Sequence, residues 1–112
     1  KHLQQCQMVF NVSFTGTDRA HHIKGRVLET GWAGAALLES EGSPIGDWFP
    51  DDCFLSYADP PDAVRLMYQT EDAELQRLAS NLATAVRERY RPEQIYGEML
   101  TRVGLAQPRK AA

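Results

Sequence analysis

Cysteine is scarce in this chain: Cys6 and Cys53 are the only two, far apart, and neither has a Cys or His neighbour at zinc-ligand spacing. Disulfide scaffolds and zinc knuckles are thereby excluded, and buried, reduced thiols are the expected state. His21 and His22 are adjacent rather than a turn apart, so on a helix they diverge instead of sharing a metal. No Lys/Arg run interleaves with aromatic residues and the formal net charge is −3, so the electrostatic footprint of a nucleic-acid binder is missing. Long apolar runs are lacking too. No segment reaches the roughly 18 to 20 residues that span a bilayer, and the polar start Lys1-His2-Leu3-Gln4-Gln5-Cys6 does not read as a signal peptide. A cytoplasmic protein with no metal, no nucleic-acid partner and no transmembrane segment is expected.

What is present suits one modest globular core. The 112 residues, 43% hydrophobic and 24% charged, can bury roughly two thirds of their unfolded surface. Met8 through Phe14 is rich in β-branched and aromatic residues, and Thr15-Gly16-Thr17-Asp18 follows with turn and cap chemistry. A helix is predicted from about Arg19 to Ala33, capped by Thr17 or Asp18, with Ile23, Val27, Thr30, Gly31 and Gly34 along one stripe. The small residues of its far half allow close approach to a sheet. Ala35-Ala36-Leu37-Leu38 reads as a strand covered on both faces, followed by a Glu39–Pro44 turn and a short helix through Phe49.

Cys53–Tyr57 is the third strand candidate, and Asp59-Pro60 predicts a capped helix bearing Ala63, Leu66 and Met67. A longer helix is expected from about Glu71 to Tyr90 on Leu75, Leu78, Leu82, Ala85 and Val86. Pro92 then opens a last helix carrying Ile95, Met99 and Val103, with Gly104 as its stop. Strands alternating with helices imply parallel pairing. The fold class is therefore α/β: a partial Rossmann-like parallel sheet of about three strands with flanking helices, read as the later half of a doubly wound domain spanning residues 1–112.

The order Lys24-Gly25-Arg26-Val27-Leu28-Glu29, then Gly34-Ala35-Ala36-Leu37-Leu38-Glu39, resembles the C-terminal part of group 1 glycosyltransferases. The similarity runs from about Val9 through Met99 and includes Asn11–Gly16, the Tyr57-Ala58-Asp59 step and Arg87-Glu88-Arg89-Tyr90. It implies a GT-B enzyme of two Rossmann-like domains, of which this chain supplies the last three strands of the donor domain, inactive without the N-terminal portion of the same enzyme. Its ligand would be a nucleotide-diphosphate sugar, held without a metal.

By that resemblance Glu29 accepts hydrogen bonds from the donor ribose hydroxyls, a role suited to an acceptor-only carboxylate. Its bland alternative is a surface pair with Arg26. A second glutamate that related enzymes carry eight residues upstream falls here on His21, whose imidazole can also bond a sugar hydroxyl. Lys24 and Arg26, past the first turn of the predicted helix, are candidate diphosphate contacts. Thr15, Gly16 and Thr17 occupy the strand-to-helix turn where open α/β sheets gather ligands. Gly42 and Ser43 fill the next strand-end loop with Glu39 and Glu41, whose charges would repel a diphosphate. Trp48 and Phe49 read as core filling. A catalytic residue is not identifiable. Two other readings stay open: a non-catalytic α/β module that self-associates through an exposed sheet edge, and a cyclic-dinucleotide barrel suggested by Glu29-x-Gly31-x-x-Gly34, against which the helical second half argues.

Overall fold

The computed structural model describes residues 6–12, 14, 15, 20, 21 and 25–105, with the backbone alone for Phe14, Thr15, Ala20 and His21. The architecture is α/β. Strands β1 (Met8–Asn11), β4 (Ala36–Ser40) and β5 (Leu55–Tyr57) form a parallel sheet in the order β1-β4-β5, while β2 (Phe14–Thr15) and β3 (Ala20–His21) form a separate antiparallel pair. Helices are α1 (Gly25–Ala33), α2 (Pro60–Gln69), α3 (Asp72–Arg89) and α4 (Pro92–Arg102), with short 3-10 turns at Pro44–Asp47 and Asp51–Cys53. Among the described residues, no helix is long and apolar enough to cross a membrane.

β4 is the central strand, and its apolar run is buried on both faces, as parallel pairing requires. Leu37 packs with Val27 of α1 and with Leu82 and Val86 of α3, whereas Leu38, its neighbour on the opposite face, packs with Tyr57 and Ala63 of α2. Both leucines are fully buried, and each contributes about 1.5–3 kcal/mol by leaving water.

Local chemistry accounts for the helix boundaries. The Asp59 side chain accepts from Asp62 N at 2.8 Å, and Pro60 opens α2 with its fixed φ. α3 carries Asp72 and Glu74 in its first turn and Arg87 and Arg89 in its last, which suits its dipole. Gly34 and Gly104 adopt φ +77°, ending α1 and following α4 as only glycine does cheaply.

The helix expected from Arg19 begins at Gly25 instead. The preceding residues Ala20–His21 pair antiparallel with Phe14–Thr15, so the strand that was expected to run through Phe14 stops at Asn11. Histidine is weak helix material, and the backbone of Ala20–His21 pairs across the small ladder instead. The predicted cap at Thr17 or Asp18 lies outside the described residues, as does Ile23. The small stripe of α1 also approaches a different neighbour from the one expected. A Cβ built on Gly31 would meet Val86 and Leu82, so the close contact is with α3 rather than the sheet. Of the thiols, Cys53 is buried as expected but Cys6 is exposed.

Candidate functional site

The carboxyl ends of β1, β4 and β5 come together, the end at which open parallel sheets hold ligands. Asn11 closes β1, Glu39 and Ser40 close β4 and Tyr57 closes β5, with Asn11 in register with Glu39 and Ser40 with Tyr57. Glu39 is 0% exposed and Asn11 4%. Glu39 had been expected in the loop after the strand. It is the fourth residue of β4, and its carboxyl group is enclosed because neighbouring donors satisfy it.

Asn11 Nδ2 donates to Glu39 Oε2 at 2.7 Å, while Ser40 N and Ser40 Oγ donate to Oε1 at 3.0 and 3.1 Å. Both oxygens act as acceptors, the role of a carboxylate. No cation pairs with it among the described residues. Burying such a group costs several kcal/mol, offset here by three hydrogen bonds, each of which contributes about 1.5–3 kcal/mol when an ionised group takes part. Tyr57 Oη in turn donates to the Asn11 carbonyl at 2.7 Å, and its ring stacks on Phe10 with centroids 4.8 Å apart. Burial pushes the Tyr57 phenol up, hydrogen bonding to Ser40 opposes this, and the charge of Glu39 adds to it. The three strand ends are thus laced by side chains as well as by ladder bonds.

Arg26 and Glu29 are exposed on α1. Because α1 starts at Gly25, Arg26 belongs to the first helical turn, where unpaired amides favour anions, rather than past it. The alternative surface pair between Arg26 and Glu29 is not among the ion pairs formed. Gly42 turns the chain after β4 at φ +85°, and Ser43 Oγ caps the 3-10 turn by accepting from Ile45 N at 3.3 Å. Ser43 N donates to Ser40 O, so this loop is tied back to the strand it leaves.

Thr15 and His21 lie on β2 and β3, where the backbone alone is described; Lys24, Gly16 and Thr17 lie outside the described residues. Trp48 and Phe49 part company: Phe49 is buried in the core with Tyr90 against it, whereas Trp48 is 49% exposed. Asn11, Glu39 and Tyr57 are not site candidates on the sequence alone, although all three lie within the similarity to group 1 enzymes. The available signal was a carboxylate directly after four apolar residues, but its partner 28 residues away could not be read from spacing.

Two further features bear on chemistry. An open depression of about 340 Å3, lined by Cys6, Gln7, Gly34, Leu75 and Ala79, lies at the amino ends of β1 and β4, away from the Asn11–Glu39 pair. Among the described residues, no cluster of three or more His, Cys, Asp or Glu is placed to hold a metal ion. No protein-family model, curated protein or solved structure matches this chain.

Proposed function

We propose that this chain is the donor-binding part of a cytoplasmic glycosyltransferase, holding a nucleotide-diphosphate sugar at the carboxyl ends of its parallel strands and completed by an N-terminal portion of the same enzyme. The observation that carries the reading is the exposure of Arg26 and Glu29 on α1, the helix that lies in the chain between the β2–β3 pair and the central strand β4. The Lys-Gly-Arg-x-x-Glu order adds the resemblance to group 1 enzymes. In this reading Glu29 takes the ribose hydroxyls as a double acceptor. Arg26 and the amides of the first turn meet the diphosphate, and Gly42 and Ser43 approach through backbone groups. Transfer then proceeds by positioning, with the diphosphate leaving as an anion stabilised by those donors.

Calorimetry of the intact protein with UDP and GDP tests this. Binding of either that weakens at least tenfold in Glu29→Ala supports the assignment; unchanged affinity in the variant removes Glu29 from the site.

A second reading has its own observation. α4 buries none of its residues and Tyr96, Met99, Leu100 and Val103 are exposed; among the described residues, β1 is also an edge strand of a three-stranded sheet. A non-catalytic module that self-associates through such surfaces predicts a concentration-dependent mass in light scattering and no nucleotide heat.

A further inference from the structure

Resting on the donor-binding reading, we infer that Glu39 is a positioning residue that never touches the ligand but sets the two strand exits between which the nucleotide sits. Its complete burial keeps it from any ligand at the strand ends. Its two oxygens nevertheless reach the ends of two neighbouring strands, β1 and β4. Oε2 holds the Asn11 side chain, at the point where β1 ends and the chain leaves towards β2. Oε1 holds Ser40 by both backbone N–H and hydroxyl, where β4 ends and the Gly42–Ser43 turn begins. Asn11 is fixed a second time, through its carbonyl, by Tyr57 Oη from the far strand.

A carboxylate is suited to this bridge because it accepts from both sides at once, whereas an amide presents an acceptor to one side and a donor to the other. Packing alone does not require a charge here. An apolar side chain in the middle of a buried sheet is commonly as stable as a buried ion, so the acid at this place points to geometry rather than to stability.

The test reverses the polarity of one hydrogen bond. In Glu39→Gln the introduced amide nitrogen faces the Asn11 amide nitrogen, donor against donor, and UDP or GDP affinity of the intact protein is expected to fall about tenfold, the loss of one hydrogen bond near a charge. In the double variant Asn11→Asp/Glu39→Gln the amide donates to the new carboxylate while its oxygen still accepts from Ser40. Charge and every donor–acceptor match are preserved, so affinity is expected to return to within about threefold of wild type, well under the tenfold loss. A merely structural role moves the melting temperature of the single variant without moving affinity, and that result overturns the inference. So does a double variant that folds but binds as weakly as Glu39→Gln, since the carboxylate at position 39 would then itself be needed, and so does a double variant that fails to fold. Wild-type protein that binds neither nucleotide overturns the donor reading instead. In that case, exchange of the Asn11 side-chain amide protons that is as slow in Glu39→Gln as in wild type also overturns the bridge.

Discussion

Replacing Gly31 by alanine sets two known effects against each other. A Cβ at this position would stand 2.5 Å from Val86 Cγ2, 3.2 Å from Val86 Cβ and 3.4 Å from Leu82 Cγ. Val86 cannot swing aside cheaply: a valine in a helix keeps one χ1 rotamer, and this one is fully buried with Leu37, Val27 and Leu82. Overpacking of this kind costs about 1–3 kcal/mol. Exchanging glycine for alanine inside a helix returns only about 0.5–1 kcal/mol. At mid-range the clash wins by about 1 kcal/mol, and the melting temperature should fall by about 4 °C or more. Gly97, inside α4, is the control, because a Cβ there meets nothing within 4 Å and the entropic gain stands alone. Thermal and urea unfolding followed by circular dichroism measure both variants. In a double-mutant cycle with Val86→Ala, the penalty of Gly31→Ala should shrink, since the atoms it strikes are gone. Gly31→Ala as stable as Gly97→Ala would refute the close helix approach on which this reasoning rests.

Three further outcomes follow from single contacts. Tyr57→Phe removes the donor to the buried Asn11 carbonyl, and urea unfolding should show a loss of about 1–2 kcal/mol; a loss below experimental error would mean that this bond is not made. Asp59→Ala removes the cap of α2 and should cost about 1 kcal/mol, whereas Asp59→Asn, still able to accept from Asp62 N, should cost little. Burial, reinforced by the Asp52 carboxylate, pushes the Cys53 thiol from 9.0 up to about 11. The unfolded chain then releases this proton first, so the contribution of Cys53 to stability is fully present below pH 9 and is lost as pH rises towards 11. Alkylation mapped by mass spectrometry should find Cys53 unmodified in the native protein at pH 8, and rapid native labelling would contradict its burial.

The order of elements was legible from local chemistry. Asp59-Pro60, Pro92 and Gly104 mark boundaries by dihedral preference and capping, effects confined to a few residues, and the Leu75–Val86 spacing identified the buried face of α3. The double burial of Ala36–Leu38 was equally plain, because an unbroken apolar run leaves neither face for water. Local signals misled where two conformations were close in energy. Residues 14–21 carry cap chemistry suited to a helix, yet Phe14–Thr15 finds its partner in Ala20–His21, a choice that depends on how the chain can return from the end of β1.

Of the candidate site, the sequence by itself determined the residue types and their order along α1, because Arg26 and Glu29 lie within one turn of each other whatever surrounds them. Only the tertiary structure decided that Glu39 belongs to the sheet interior and not to a loop, that it binds Asn11, and that Tyr57 reaches across to the same residue. Parallel strands are joined through crossovers, so residues that meet at their ends stand 28 and 46 positions apart in the chain. Periodicity reports on nearest turns and pleats. Strand order and register set which distant polar groups face one another, and those are properties of the assembled sheet.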